Sequence, residues 1–461
     1  MRIFGRVFRW AVVGLLALVV AAAAWLAVAP PDLIRVAAGY SAKIVCSNIF
    51  LASRSGGEVL AVDVQAPGHP ILRLIDIDVD RTGGTVTASL LGLFAPMTAV
   101  ARPGTGCAVV PNGDVAGARR FTAATPAAAS LPDRPWPLGD GGGAEEAPAV
   151  AAILDDEELT GPGMRAVIVV KDGELAGERY GGGFSRATPL LGWSMTKTVT
   201  AAIVGRLVAE GRIALDRDAN FAFWSDGRAA ITVEDLLAMS SGLAFNEDYG
   251  DVTDVTRMLY LERDMAGFAA GRELVAEPGS AFSYSSGTSV MLSRIWQDAA
   301  GSPAEALSYP RSALFGPLGM ASAVLEADAT GTFVGSSYLY ATARDWVRFG
   351  QFLLQEGMWE GEQLLPEGFV RWMAEPAPAS EGTYGRGQVW LRGPSADTPE
   401  GEDPDAGFDL PDDAFWLLGH DGQSMAVIPS ERLVVLRMGL TPSSLGYKSQ
   451  GMVEALVGAL E

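Results

Sequence analysis

Clusters of hydrophobic residues, separated by polar and glycine-rich turns, divide the second part of the chain into predicted helices and strands. Helices and strands alternate there around a mainly helical middle, a pattern typical of an α+β domain whose antiparallel sheet is made from both ends of the domain. The predicted elements are a helix over 149–159, a strand over 165–171, a helix over 198–209, a short helix over 231–239, a helix over 343–356, strands over 415–418, 424–429 and 433–439, and a last helix over 450–460.

The first hydrophobic run predicts a membrane segment. It extends without a charge from Trp10 to Ala29, about long enough to span a bilayer, and arginines precede it. Cleavable signal peptides usually have a shorter apolar region, and Pro30 disfavours cleavage. Residues 1–31 are therefore predicted to be a signal anchor in the inner membrane, with the rest of the chain outside the cytoplasm. A cleaved signal of a secreted or periplasmic protein and a buried core helix are the alternatives.

The chain after this segment divides by composition. Residues 32–130 predict a small, separate β-rich unit, with strand-like segments over 59–64 and 84–90. A stretch rich in alanine, proline and glycine predicts a linker over 131–147. The predicted catalytic domain follows over 148–461.

The net charge and the small numbers of histidines and cysteines argue against some functions. The net charge of -21 argues against nucleic acid as a partner, because phosphates would be repelled. The only histidines are His69 and His420, and the only cysteines are Cys46 and Cys107, so a zinc site of the Cys/His type is nearly excluded and no metal or cofactor is expected. An exported chain permits a disulfide between the two cysteines, and two buried free thiols are the alternative.

Ser194-Met195-Thr196-Lys197 carries the strongest chemical signal. Three residues apart on a helix, Ser194 and Lys197 share one face. A serine at a helix start meets the positive end of the helix dipole, and a partly buried lysine can lose its proton and accept the proton of the serine. The pair could therefore support an acyl-enzyme hydrolase. The alternative is a surface helix with an ordinary serine and lysine.

Two further segments hold candidate site residues. Tyr284 could act as general base or acid, since a neighbouring lysine can lower the pKa of a tyrosine, and Ser286 could bind the lysine or the substrate. Near the C-terminus, His420 could donate a hydrogen bond, and Gly422 could let the backbone approach a ligand. The N–H of Gln423 could complete an oxyanion hole with the N–H of the serine. A half-buried tyrosine in a turn and a polar hairpin tip are the alternatives.

Other hydrolytic designs fit the sequence less well. The chain contains no G-x-S-x-G, which argues against the nucleophile elbow of α/β-hydrolases. It also lacks H-E-x-x-H, the metal-binding motif of many metalloproteases.

The order of the motifs is more specific than any one of them. Over residues 148–461 the chain resembles the class C β-lactamase-like serine hydrolases, which include penicillin-binding proteins, family VIII esterases, D-aminopeptidases and 6-aminohexanoate-dimer hydrolases. This resemblance implies a β-lactamase/transpeptidase-like fold, with an antiparallel sheet flanked by helices and a mostly helical subdomain. The motifs that carry it are Ser194-x-x-Lys197, Tyr284-x-Ser286-Gly287-Thr288, His420-x-Gly422, Ile231 to Leu237, and Ser240-Ser241-Gly242-Leu243.

The resemblance implies a role for each matching position. Ser194 corresponds to the acylated nucleophile, Lys197 to its proton acceptor and Tyr284 to the general base or acid of the leaving group. His420 falls where β-lactamases carry the lysine of K-T-G, and Gln423 falls at the second oxyanion-hole N–H. In the branch of 6-aminohexanoate-dimer hydrolases a tyrosine contacts the scissile amide, and Tyr249 is the matching candidate.

Two departures bear on the substrate. A class C β-lactamase would carry asparagine in place of Ser286 and lysine in place of His420, which puts antibiotic hydrolysis in doubt. The expected function is hydrolysis of a small ester or amide through an acyl-enzyme on Ser194. A D,D-peptidase, D-aminopeptidase or β-lactamase is one rival, and a non-catalytic receptor of the penicillin-binding type is another.

Overall fold

A computed structural model of the chain describes residues 2–124, 134–141, 146–219, 221–399 and 401–460. In these residues the α-helices are α1 (Arg2–Val28), α2 (Asp32–Phe50), α3 (Gly56–Glu58), α4 (Val115–Ala118), α5 (Pro148–Leu154), α6 (Glu157–Thr160), α7 (Thr196–Ala209), α8 (Val233–Leu237), α9 (Asp254–Leu261), α10 (Met265–Ala270), α11 (Ser286–Ala299), α12 (Pro303–Pro310), α13 (Ala343–Leu354), α14 (Phe369–Met373) and α15 (Gln450–Leu460). The strands are β1 (Ile75–Asp80), β2 (Thr85–Leu90), β3 (Phe94–Arg102), β4 (Gly106–Val109), β5 (Met164–Lys171), β6 (Glu174–Tyr180), β7 (Leu190–Leu191), β8 (Val324–Leu325), β9 (Leu339–Ala341), β10 (Met358–Trp359), β11 (Glu362–Gln363), β12 (Phe415–Gly419), β13 (Gln423–Ile428) and β14 (Leu433–Gly439).

A five-stranded antiparallel sheet organises residues 148–461, the predicted catalytic domain, which we call the catalytic part. Its strand order is β12-β13-β14-β5-β6, so strands from both ends of the domain pair with each other, as the hydrophobic pattern predicts. Successive residues of a strand point to opposite faces. Ile168 and Val170 join the core that contains α7 and α13, whereas Val167 and Val169 join the core formed with α5 and α15. Because β5 is covered on both faces, it is a nearly continuous apolar run.

The mostly helical subdomain positions the site. Helix α7 is buried along most of its length, and α11 packs against it. Helix α11 begins at Ser286 and is capped by Ser285, whose hydroxyl accepts a hydrogen bond from Thr288 N at 3.2 Å. The start of α11 therefore lies beside the start of α7. The predicted α+β class, with an antiparallel sheet flanked by helices and a mostly helical subdomain, is confirmed.

One predicted strand is wrong. Residues Val59–Gln65 form a π-helical segment instead of the strand expected over 59–64. Val59 and Val64, five residues apart, are buried, while Asp63 between them binds Arg54. A short apolar run fits either a strand or a helix, and the tertiary contacts decided between them here.

The N-terminal unit is not separate from the catalytic part. It begins with α2, which the sequence did not predict and which packs against the antiparallel sheet β1-β2-β3-β4. A disulfide between Cys46 and Cys107 joins α2 to β4. Residues of α2 and of this sheet belong to the same hydrophobic core as α7 and α13.

Buried polar groups bind the two parts together. Lys43 on α2 forms a buried ion pair with Glu326, whose Oε1 also accepts a hydrogen bond from Cys107 N at 2.6 Å. Arg102 donates to the carbonyl oxygens of Ala327 at 2.5 Å and Asp328 at 2.8 Å. Such contacts satisfy groups that would be costly to bury alone, so they fix how the unit sits on the catalytic part.

Part of the predicted linker 131–147 is also packed, within the residues 134–141 and 146–147 that the structure describes. Trp136 is buried in the core. Arg348 of α13 donates to Pro137 O at 2.9 Å and to Gly139 O at 2.7 Å. The composition indicated a flexible connection, but these residues are held by α13.

Helix α1 is long and apolar enough over Arg6–Val28 to cross a membrane, and this part of it is not buried inside the protein. This exposure excludes the alternative that the N-terminal apolar run is a buried core helix. Both a signal anchor and a signal sequence agree with the finding.

Candidate active site

Ser194 lies in a tight turn between β7 and α7. The preceding Trp193 has φ +48°, a left-handed conformation that non-glycine residues rarely adopt, and its ring is buried. A Cβ on Gly192 would lie 2.2 Å from the Trp346 ring, so only glycine fits there. This turn leaves Ser194 partly exposed at the start of α7, as expected for a group that must meet a substrate.

Lys197 is held by three oxygen atoms. Its Nζ lies 3.0 Å from Ser194 Oγ, 3.0 Å from Ser286 Oγ and 3.1 Å from the carbonyl oxygen of Ser336. Burial lowers the pKa of Lys197 to about 8, while the charge of Glu247 acts in the opposite direction. About a tenth of this lysine is therefore neutral at pH 7 and about half at pH 8, far more than for an ordinary lysine.

The hydrogen-bond partners direct the lone pair of the neutral amine. The carbonyl of Ser336 can only accept, so it takes one N–H of Lys197. The Ser286 hydroxyl gives its own proton to Glu247 Oε1 at 2.5 Å and must accept the second N–H. The lone pair is left facing Ser194 Oγ, which is the arrangement a proton acceptor needs.

Glu247 was missed by the sequence reasoning. Its Oε2 accepts the backbone N–H of Ser286 at 2.7 Å, so the carboxyl group holds both the start of α11 and the hydroxyl next to Lys197. Burial raises its pKa, and the charge of Lys197 opposes this shift. In the sequence Glu247 lies in the polar run Asn246-Glu247-Asp248, and its position between Phe245 and Tyr249 was the only hint of burial.

Tyr284 lies beside the lysine, but its pKa differs from the expectation. The Tyr284 ring centroid is 4.7 Å from Lys197 Nζ, and the ring packs against Trp390. Burial and then the charge of Glu247 raise the pKa of Tyr284, whereas the Ser194 hydroxyl lowers it. The predicted lowering is wrong, because burial of the phenol and the charge of Glu247 both favour its protonated form. Tyr284 is a protonated phenol in the resting site.

His420 and Tyr249 form one aromatic group over the turn. Their rings stack with centroids 4.7 Å apart, and His420 also meets the Trp193 ring edge-on at 5.5 Å. His420 Nε2 lies 3.5 Å from a carboxylate oxygen of Asp421. The structure thus brings both predicted residues to the site, with the histidine ring partly exposed and its polar edge turned to Asp421.

Gln423 lies beside the turn between β7 and α7 that contains Ser194. Its side chain donates to Gly439 O at 2.6 Å and accepts from Gly439 N at 2.8 Å, which fixes the start of β13. A Cβ on Gly419, its partner in β12, would lie 2.3 Å from Gly192 O, so this hairpin sits directly against the turn. An oxyanion hole made by the N–H groups of Ser194 and Gln423 stays a prediction.

Gly422 has a conformational role in addition to the predicted one, the approach of the backbone to a ligand, which stays a prediction. It has φ +81°, and a Cβ there would point at Thr441 and Arg437. Glycine is needed for the turn and for this packing, and Gly422 also lines the cavity beside Ser194.

These residues surround one large cavity. The cavity of about 880 Å³ is lined by Ser194, Glu247, Tyr249, Tyr284 and the hairpin His420–Gln423. Lys197 and Ser286 lie behind this surface, buried and in contact with Ser194 and Glu247. The sequence-predicted residues are thus brought together from four distant segments.

An antiparallel sheet with S-x-x-K at the start of a buried helix defines a hydrolase of the β-lactamase fold. A family model described as Beta-lactamase matches residues 156–444, more than half of the chain, and the chain belongs to this family.

Solved structures agree with this assignment. A protein described as a "putative 6-aminohexanoate-dimer hydrolase" from Bacillus anthracis is 25% identical over 67% of this chain and 81% of its own, with a TM-score of 0.53. A penicillin binding protein from Bacillus halodurans is 16% identical over 67% of this chain and 98% of its own, with a TM-score of 0.50. The second similarity concerns the fold alone. A comparison with curated proteins finds no match.

Proposed function

We propose that this protein is a serine hydrolase that cleaves an ester or amide through an acyl-enzyme on Ser194. The observation that carries the proposal is the contact of 3.0 Å between Ser194 Oγ and a buried lysine whose pKa is about 8. A neutral amine with its lone pair on the serine can remove the hydroxyl proton as the oxygen attacks.

The proposed reaction has two halves. Ser194 Oγ bonds to the substrate carbonyl carbon and its proton passes to Lys197, while the N–H groups of Ser194 and Gln423 hold the oxyanion. The phenol of Tyr284 protonates the departing oxygen or nitrogen as the bond to the carbonyl carbon breaks, and then regains a proton from Lys197. In the second half water attacks the acyl carbonyl carbon and gives one proton to the same pair. As the bond between that carbon and Ser194 Oγ breaks, the proton passes from the pair to Oγ, which releases the acid and the free serine.

Substrate preference follows from the groups present. Ser286 and His420 supply neither the amide contact nor the permanent positive charge that would hold the carboxylate of a β-lactam. The similarity to the Bacillus anthracis protein, described as a hydrolase of an amide dimer, supports an ester or amide substrate. We place the reaction outside the cytoplasm, because disulfides such as Cys46–Cys107 form and persist in oxidising compartments. We propose α1 as the membrane anchor, because it is long and apolar enough to span a bilayer.

A substrate panel tests the proposal. We expect p-nitrophenyl acetate and butyrate or a linear 6-aminohexanoate dimer to be hydrolysed, with nitrocefin and a D-alanyl p-nitroanilide left unchanged. The measurement is kcat/KM for each compound. Turnover of nitrocefin or of the D-alanyl amide would instead assign the protein to antibiotic or cell-wall chemistry. Absence of any turnover, together with no labelling by a fluorophosphonate, would point to a receptor.

The pH dependence of kcat/KM should report Lys197. Activity should rise with pH through a midpoint near 8, because the protonated amine below its pKa cannot accept a proton. The charge of Glu247 raises that pKa, so Glu247→Gln should move the midpoint to lower pH, by about one unit for a nearby carboxylate. The variant should also reduce the plateau, since an amide has only one acceptor oxygen and cannot accept both the N–H and the hydroxyl proton of Ser286.

Asp248→Asn is the matched control for this shift. Asp248 is exposed and adjacent in sequence, so its charge is screened by water. Its pH profile should overlay the wild type. An unchanged midpoint in Glu247→Gln would exclude the proposed coupling between Glu247 and Lys197.

A further inference from the structure

One wall of the cavity comes from outside residues 156–444, the part matched by the Beta-lactamase family model. Leu33, Val36, Ala37 and Tyr40 of α2 line the same cavity as the proposed nucleophile. Their spacing of three, one and three residues places them on a single face of the helix. The N-terminal unit therefore supplies part of the substrate site.

A second segment of this unit extends the wall. Ile71 and Leu72 line the cavity together with the α2 residues. We call Leu33, Val36, Ala37, Ile71 and Leu72 the apolar wall. Ligand pockets commonly enclose about 300–1,000 Å³. A cavity of about 880 Å³ is thus far larger than an acetyl or butyryl group requires. A longer hydrocarbon chain could fill the remaining space and contact the apolar wall.

The wall lies close to the end of the membrane helix. Helix α1 ends at Val28 and α2 begins at Asp32. At a rise of about 1.5 Å per residue, the α2 residues of the cavity lie within about 12 Å of the first residue of α2. Leu26 of α1 also packs against the protein core. If α1 spans the bilayer, the apolar wall stands near the bilayer surface.

Exposed leucines lie on the same unit. Leu74, Leu91 and Leu93 are 50%, 53% and 76% exposed, and Leu91 N donates to Leu74 O at 2.8 Å. We call these three residues the leucine patch. Leu74 follows the cavity-lining Leu72 by two residues, which places this part of the patch close to the wall. Exposed apolar clusters of this kind are typical of surfaces that contact other molecules or membranes.

We infer that the cavity receives the long hydrocarbon chain of an ester or amide that resides in the membrane, with that chain packed against the apolar wall. The inference rests on the proposed function and specifies its substrate class. The scissile carbonyl would lie at Ser194, while the leucine patch would hold the mouth of the cavity against the bilayer from which the substrate enters.

Chain-length selectivity tests the wall. The full chain in detergent is assayed with p-nitrophenyl butyrate and p-nitrophenyl laurate, which differ only in the acyl chain. We expect kcat/KM to be higher for laurate, since each buried methylene can contribute up to about fourfold. Leu33→Glu should lower the laurate-to-butyrate ratio by about tenfold or more, whereas Leu33→Met should preserve it.

The chosen variants separate selectivity from folding. Leu33 is half-buried in the first turn of α2, where a glutamate is compatible with the helix dipole. Val275→Glu is the matched control, because Val275 is exposed and does not line the cavity, and it should leave the ratio unchanged. Two results would overturn the inference but not the proposed function, provided that butyrate is hydrolysed. One is an unchanged laurate-to-butyrate ratio in Leu33→Glu, and the other is a wild type that does not prefer laurate. Absence of turnover with both esters would overturn the proposed function as well.

The source of the substrate is tested with vesicles. The full chain is reconstituted in phosphatidylethanolamine and phosphatidylglycerol vesicles that contain the laurate ester. We expect Leu91→Glu with Leu93→Glu to slow hydrolysis of this bilayer-dissolved ester several-fold and to leave hydrolysis of butyrate in water unchanged. Equal rates for the variant and the wild type in vesicles would show that the substrate enters from water, against the inference.

Discussion

Replacing Ser194 with alanine is expected to lower kcat/KM by at least about 10⁴-fold for every substrate the wild type hydrolyses. Alanine removes the oxygen that would form the acyl-enzyme, and neither Lys197 nor Tyr284 can replace it at the start of α7. The fold should be retained, because Lys197 keeps its contacts with Ser286 and Ser336. The measurement is steady-state kinetics beside thermal unfolding of the same preparation.

Ser283→Ala serves as the control for this result. Ser283 lies one residue before Tyr284 and its side chain is exposed, so removal of its hydroxyl should change neither rate nor stability. Mass spectrometry after a short incubation with p-nitrophenyl butyrate should find an acyl group on wild type and none on Ser194→Ala. Retained turnover in a folded Ser194→Ala protein would refute the mechanism.

Replacing Lys43 with methionine is expected to lower the free energy of unfolding by about 3–5 kcal/mol, as for other buried pairs that lose one partner. Lys43 and Glu326 are 1% and 0% exposed, so the remaining carboxylate could not be solvated in place. Burial lowers the pKa of Lys43, and the partner's charge opposes this shift. The effect should appear as a lower midpoint of urea unfolding for the oxidised full chain in detergent.

Two companion variants identify the cause. Lys43→Met with Glu326→Gln removes both charges and leaves an oxygen acceptor for Cys107 N, so it should recover part of the lost stability. Lys171→Met breaks a pair with Glu431 that is 17% and 28% exposed, and it should cost about 1 kcal/mol or less. A Lys43→Met protein as stable as the wild type would show that the pair does not hold the N-terminal unit to the catalytic part.

The elements read most accurately from the sequence were those with local signals. The bounds predicted for strand β14 and for helix α15 agree with the structure, because each is a mainly apolar run with a local boundary signal. Helix α2 was missed although it is 19 residues long, since it is buried on most sides and its apolar positions show little helical periodicity. The strand predicted over 59–64 was wrong for a related reason, as a short apolar run has no single preferred state.

The active-site residues likewise divide into those with a local sequence signal and those that depend on distant contacts. Ser194, Lys197 and Tyr284, which the structure brings together, could be proposed as catalytic residues because each belongs to a short motif with fixed local spacing. Glu247 was not, since its role depends on a contact with Ser286 that is 39 residues away in sequence. The raised pKa of Tyr284 also escaped prediction, because burial and the charge of Glu247 are properties of the folded site.

The sequence by itself determined the α+β class, the order of the motifs and the apolar N-terminal segment, because hydrophobic periodicity and motif spacing are written locally along the chain. Only the tertiary structure decided that residues 32–124 share a core with the catalytic part, that Glu247 fixes the Lys197 lone pair, and that α2 lines the cavity. These features arise from contacts between segments far apart in sequence, and their energies depend on burial, which exists only once the chain has folded.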